Sequence, residues 1–364
     1  MRFWVWAHKW SSLVCTAFLL VLCVTGLPLI FRGEIDHALG YGAGGHAAAR
    51  PAPLSAIEAA AQAARPTGKI QFLVWQSDKP GVITLSIAPA GAKSYFDNEN
   101  ILIDAATARP AAGGGAASPT QWLVDLHGTL MLGPMGPLVL GLPALLFIVA
   151  LVSGAVVYGP FARKAGFARV RRDRSRRTTW LDIHNMLGAV VLAWTLVVGA
   201  TGLINTWGAS IIQYWQMSEL SAYASRGSPP TGRTAPIDTI VEAARARFPD
   251  FQPYFVAYPG SLMAGERFHA VYLRGPDGLK EHIFQPVLVD SVTARVIGVP
   301  RPPWYVSGLA LSQPLHFGDY AGAPLKAMWA LLDLATIAVL LSGLKLTFSR
   351  RGKRPHGAIA EAVA

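Results

Sequence analysis

Residues 6–26 read WAHKWSSLVCTAFLLVLCVTG, and residues 182–202 read DIHNMLGAVVLAWTLVVGATG. Each stretch has a histidine near its start and a Thr-Gly pair at its end. His8 precedes Thr25 and Gly26 by 17 and 18 residues, and His184 precedes Thr201 and Gly202 by the same intervals. A second pair of segments repeats in the same manner: His127 stands 26 and 27 residues before Ser153 and Gly154, and His316 stands 26 and 27 before Ser342 and Gly343. The chain therefore carries two copies of one plan, with a histidine toward one end of each of four apolar segments.

Those segments are long enough to cross a bilayer, which takes about 20 apolar residues. Uncharged runs cover Trp10–Phe31, Gly128–Ala162 and Ile183–Ser218; a fourth, Ala327–Leu344, is broken by Asp333 and flanked by Lys326 and Lys345, and is accepted because the repeat requires it. Apolar residues make up 52% of the chain and charged residues 15%. The net charge of +11 is concentrated in the loop after the second run, with eight Lys/Arg between Arg163 and Arg177, and in the tail SRRGKRPH. With four spans these regions and the N-terminus share one side, which the positive-inside rule makes cytoplasmic. The arginine run is short, lies between spans and lacks interleaved aromatics, so no nucleic-acid partner is expected. The first span shows no A-x-A site behind a short apolar core and reads as an uncleaved anchor. Cys15 and Cys23 lie within it and form neither a disulfide framework nor a C-x-x-C-H attachment motif.

Between the spans lie two further repeats. LSAIEAAAQAA (54–64) resembles PIDTIVEAARA (236–246), each an Ala-rich amphipathic helix with Ser55 or Asp238 as its expected cap. ILIDAATAR (101–109) matches VLVDSVTAR (287–295), a strand running into a hairpin turn, with GVITLSIAP and HAVYLRGPDG as strands before it. Gly/Ala/Pro-rich stretches at 41–53, 109–119 and 226–236 read as linkers. Each region is expected to be a small α+β unit. Offsets between the copies drift from 176 residues at the first histidine to 184–186 between the spans and 189 at the second, and both copies enter from the same side, so the repeat is a parallel one about an axis along the membrane normal.

Such an axis sets His8 opposite His184 near one face and His127 opposite His316 near the other. A single interfacial histidine is commonly just an amphipathic anchor; four in symmetric places call for more. Two neutral imidazoles facing each other in a dry slot suit the two axial positions of a non-covalent b-type haem, giving two haems about 20 Å apart across a hydrocarbon core of about 30 Å. Eighteen residues make five turns, so Gly26 lies on the face of His8 about 27 Å away, and Gly202 stands likewise to His184. These glycines fall at the level of the outer haem, either meeting the porphyrin edge or packing helices. Asp182, Asp125 or backbone carbonyls are the expected partners of the imidazoles, and Arg2, Lys9, Arg32 and Lys345 are candidate cations for propionates, with Lys345 also suited to snorkelling. Asp333 is a lone acid within a span, a candidate for quinone or proton handling or a hydrogen-bonded structural group. Trp122, Trp207, Tyr214, Trp215, Trp304, Tyr305 and Tyr320 could shape a platform over the outer haem or form an interfacial belt.

The segments W-A-H-K-W…V-T-G, L-H-G-T-L…G-P-M-G, D-I-H-N-M-L-G…A-T-G and L-H-F-G-D-Y-A-G resemble the PepSY-associated transmembrane helix family over about residues 5–350, and within it the di-haem inner-membrane ferric-siderophore reductases of Gram-negative bacteria. The resemblance implies a four-helix membrane bundle, two periplasmic PepSY-like α+β domains and two b haems, with His8, His127, His184 and His316 on the family's motif histidines. It implies an oxidoreductase of the inner membrane that reduces siderophore-bound iron(III) in the periplasm, where iron(II) is held far less tightly. The corresponding map is a transmembrane helix over 1–31, a periplasmic domain over 32–125, a helix over 126–160, a basic cytoplasmic loop over 161–180, a helix over 181–207, a second periplasmic domain over 208–315, a helix over 316–348 and a cytoplasmic tail over 349–364. The chain has no cytoplasmic segment large enough for a flavin domain, so a cytosolic reductase or a membrane quinol is the expected electron donor. A haem subunit serving another acceptor, and a non-redox PepSY binding module whose histidines only cap helices, are the alternatives.

Overall fold

The structure is a computed structural model that describes residues 1–41, 51–75, 81–92, 97–111, 118–166, 169–173, 175–223, 226–229, 233–261, 263–276, 283–318 and 320–349. Most of the linkers read at 41–53 and 109–119, residues 230–232 of the linker read at 226–236, parts of the basic loop and the tail after 349 lie outside these residues. In chain order the helices are α1 (Arg2–Leu29), α2 (Arg32–Ala38), α3 (Leu54–Ala64), α4 (Pro119–Thr129), α5 (Gly136–Ala165), α6 (Arg176–Thr206), α7 (Gly208–Ser218), α8 (Ile237–Arg247), α9 (Trp304–Phe317) and α10 (Gly322–Phe348). The strands are β1 (Lys69–Trp75), β2 (Val82–Ala88), β3 (Glu99–Asp104), β4 (Arg109–Pro110), β5 (Gln252–Ala257), β6 (Phe268–Arg274), β7 (Phe284–Asp290) and β8 (Val296–Gly298).

Helices α1, α5, α6 and α10 are long and apolar enough to cross a membrane, including the fourth, which composition alone marks most weakly. In lipid every backbone group must be satisfied within its segment, and a helix does this. Within each half α1 packs on α5 and α6 on α10; across the halves α5 meets α6 and α1 meets α10.

His127 and His316 do not lie on the spans. They sit on the separate short helices α4 and α9 that precede them. Helix α4 starts at the Ser118 side chain, which accepts from Thr120 N, with Pro119 in the first turn, where its missing N–H costs nothing. It ends in left-handed backbone at Leu130 and Met131, and the chain then doubles back so tightly that a Cβ on Gly136 would meet the Thr129 carbonyl oxygen at 2.2 Å. Helix α9 ends at Gly318, with φ +72°, against the Trp329 ring. The spans therefore begin near residues 133 and 322, several residues beyond the histidines.

The segments between spans do not stand apart as two domains. They share one antiparallel eight-stranded sheet in the order β4-β3-β2-β1-β5-β6-β7-β8. The halves join where β1 pairs with β5, Leu73 opposite Val256. Alternate side chains then fill two cores. On one face Leu73, Leu85, Ile103, Val256 and Val287 pack under Ile57 of α3 and Ile240 of α8. On the other Phe72, Phe255 and Tyr272 pack on Trp215 of α7 and on Val306 and Leu309 of α9. Each such side chain, once buried, stabilises by about 1.5–3 kcal/mol.

The repeat holds at atomic detail. Asp104 Oδ1 accepts from Ala106 N, Thr107 N and Thr107 Oγ1; Asp290 Oδ1 accepts from Val292 N, Thr293 N and Thr293 Oγ1. Ala108 and Ala294 follow with φ of 52° and 53°. The expected caps differ. Neither α3 nor α8 is capped by its own Ser55 or Asp238; instead Asp238 reaches across to accept from Leu54 N at 2.6 Å and Ser55 N at 3.0 Å, capping the other copy's helix.

Candidate functional site

The four histidines form two facing pairs. The rings of His8 (α1) and His184 (α6) have centroids 6.4 Å apart at 60°, and those of His127 (α4) and His316 (α9) are 6.2 Å apart at 61°. Every pair joins one ring from each half, while each ring is seated by a helix of its own half.

The seat is the same four times. His8 Nδ1 lies 2.9 Å from Ala150 O, His184 Nδ1 3.1 Å from Val339 O and His316 Nδ1 3.0 Å from Val198 O, and His127 bonds the Leu22 carbonyl. In every case the acceptor is four residues before a glycine: Gly154, Gly343, Gly202 and Gly26 respectively. A Cβ at those glycines would meet Cε1 of the seated ring at 2.9, 3.4, 3.0 and 3.1 Å. The glycine thus lets the ring lie flat against the helix turn whose carbonyl it reaches. The Ser or Thr before it helps: Ser342 Oγ and Thr25 Oγ1 stand 2.9 and 3.0 Å from Nδ1 of His184 and His127, and Thr201 Oγ1 stands 3.4 Å from Nδ1 of His316. Ser153 Oγ donates to Val149 O and Ala150 O, the latter being the carbonyl that His8 uses.

A carbonyl only accepts, so each Nδ1 carries the hydrogen and each Nε2 keeps its lone pair. Burial pushes His127 down to about 4 and lowers His316, which keeps both rings neutral and able to ligate.

Two imidazoles binding one metal from opposite sides, with metal–nitrogen bonds of about 2.0–2.1 Å and a ring radius of about 1.1 Å, would place their centroids about 6.2–6.4 Å apart. Both pairs meet that spacing. Among the described residues no group of three or more His, Cys, Asp or Glu side chains converges. A bare ion takes three or four protein ligands, whereas a porphyrin supplies four nitrogens itself and asks the chain for its axial ligands. The donor sets therefore fit haem.

Other expected residues fall elsewhere. Gly26 and Gly202 lie at the outer pair, beneath the rings of His127 and His316. Asp182 does not reach an imidazole; it takes Arg171 NH, Nε and Nη2 at 2.8–2.9 Å and so pins the basic loop to the start of α6. Asp125 accepts from Gln121. Arg32 is engaged by Thr120, Gln121 and Asp36, Lys345 stacks on Trp180 at 3.8 Å and Lys9 on Trp10. Trp215 is fully buried in the sheet core and belongs to no platform, and Trp207 packs on Gly141. Exposed Tyr214 and Trp304 flank Tyr305, with ring centroids 5.8 and 5.9 Å from it.

Comparison with known proteins identifies the family of the chain. A protein of Pseudomonas aeruginosa described as uncharacterised is 24% identical over 260 residues, which is 65% of this chain and 65% of that protein's own length. The sequence pattern of the PepSY-associated TM region matches residues 5–351, from just before His8 to just past Phe348. The chain is a multi-pass membrane protein that belongs to the PepSY-associated TM family.

Proposed function

We propose that this protein is a di-haem b electron carrier of the bacterial inner membrane that reduces siderophore-bound iron(III) on the side of the sheet. The observation that supports it best is the two-tier array of facing imidazoles, 6.4 and 6.2 Å apart, with all four Nδ1 atoms held by helix carbonyls or the hydroxyls beside them. Haem, when bound at both tiers, supplies a one-electron centre near each face.

The chain's residues supply the rest. His8 and His184 hold the tier near the basic loop, and His127 and His316 the tier nearest the sheet. The carbonyls fix ring orientation and tautomer and make Nε2 a better donor to metal. The Lys/Arg-rich loop and the two termini face the cytoplasm by the positive-inside rule, which places the sheet in the periplasm. Electrons enter from a cytosolic reductase or a membrane quinol. Tyr214 with Trp304 and Tyr305 offers an aromatic surface at the start of α9, the helix that carries His316. The acceptor class is carried by the resemblance of the histidine motifs to ferric-siderophore reductases.

Stopped-flow mixing of the dithionite-reduced protein with ferric siderophores tests the reading. Rapid loss of the reduced α band is expected. Reduced haem that survives excess ferric siderophore for minutes would leave an electron carrier for another acceptor, and a preparation without a Soret band would remove the electron-transfer reading altogether.

A further inference from the structure

Asp333 lies in the middle of α10, is 6% exposed and has one carboxylate oxygen, Oδ2, buried with no hydrogen-bond partner. Helix α10 packs on α1 and α6. From α1 the Cys23 thiol comes within hydrogen-bonding reach of the carboxyl. From α6 no titratable side chain occurs between Asn185 and Thr206, and α5 carries none between Gly136 and Val157. The lysines of α10 lie at its ends and are occupied, Lys326 by Glu34 and Lys345 by Trp180. The nearby indoles Trp194 and Trp329, 6.3 Å apart, likewise have buried N–H groups without partners.

The duplication shows that the fold does not need this acid. Counting back 189 residues on α10, and 176 on α6, the counterparts of Asp333, Trp329 and Trp194 are Ala144, Leu140 and Phe18. The first half builds the same helix pair with apolar residues. Depth is also unequal. Cys23 precedes Gly26, the seat of His127, by three residues, a rise of about 4.5 Å, whereas Asp333 precedes Gly343, the seat of His184, by ten, a rise of about 15 Å. Asp333 therefore stands nearer the outer histidine pair than the inner one.

A carboxylate without a cation in hydrocarbon is costly. A bis-imidazole iron(III) porphyrin core has one net positive charge and would offset it; the iron(II) form has none. Resting on the haem reading above, we propose that Asp333 is a redox-linked proton site for the His127–His316 centre. As that centre gains one electron from the inner centre, iron(III) becomes iron(II) and the Asp333 carboxylate takes one proton from water on the sheet side, forming its O–H bond; oxidation by the acceptor reverses both. The charge of the site is the same before and after.

Redox titration of the purified full-length protein between pH 5 and 9, followed at the α band, tests this. The outer centre is the one lost in His127→Ala. Its potential is expected to fall by up to about 59 mV per pH unit, one electron per tenfold change in proton activity, while the inner centre stays flat. Asp333→Asn should keep both α bands and abolish that slope, and Asp333→Glu should retain it. Reduced-minus-oxidised infrared spectra of the wild type should show a carboxylic C=O band appear on reduction, a readout that needs no variant. A flat outer potential in the wild type, or the same slope in Asp333→Asn, overturns the proposal. A protein without haem fails the earlier reading instead.

Discussion

Each imidazole rests on a helix carbonyl oxygen and on the glycine four residues on, and for His127, His184 and His316 the hydroxyl of the residue before that glycine also stands within 3.4 Å of Nδ1. This seat predicts graded effects. Gly154→Ala places a methyl 2.9 Å from His8 Cε1, inside contact distance, whereas Gly343→Ala places one 3.4 Å from His184, an ordinary contact. Reduced spectra of the purified variants should show Gly154→Ala losing or shifting the inner haem and Gly343→Ala keeping it. His127→Ala and His316→Ala should each lose the same haem; loss of different haems would break the pairing. The histidines and their Ser/Thr-Gly partners were legible because the duplication repeats their spacing. The use of the glycines was not, because spacing gives depth along a helix and not which ring lies above it. In the sequence Asp182 reads as a partner of an imidazole, whereas it binds Arg171, which sits in a loop with no periodicity to place it.

At the scale of the element, α9 links sheet to membrane. Val306 and Leu309 lie in the same core as Trp215, and His316 follows two turns later on the same helix. Trp215→Ala should destabilise the protein by about 3–5 kcal/mol, as large cavities do, read as a lower melting temperature with broadening of the outer α band before the inner one changes. The Asp290 turn gives a pH effect. Burial raises this carboxyl, but hydrogen bonds from Ser228, Val292 and Thr293 outweigh burial and hold it at about 2. A depressed carboxyl contributes stability above its unfolded value of about 4 and loses it as pH falls toward 2. Melting temperature should drop across that window in the wild type and less steeply in Asp290→Asn. Strand–turn pairs such as 101–109 and 287–295 were readable from alternation and the Asp-x-x-Thr turn. The break between α4 and α5 was not, since Leu130 and Met131 adopt left-handed backbone without the glycine that would announce it.

At the scale of the molecule, the two halves interlock at β1–β5, at the Asp238 cap, at both histidine pairs and where α5 meets α6 and α1 meets α10. The span count and the repeat were visible in hydropathy and self-similarity. The single sheet was not, because Leu73 and Val256 meet across 183 residues and neither strand's pattern names its partner. Four spans place both termini with the basic loop, so tags at either end should report from the cytoplasm; a periplasmic C-terminus would mean a different number of crossings. The most direct measurement is haem content per chain in protein purified from haem-sufficient cells, taken with the dithionite-reduced spectrum. Two b-type haems per chain, falling to one in His316→Ala, is the expected result, and a colourless preparation would contradict it.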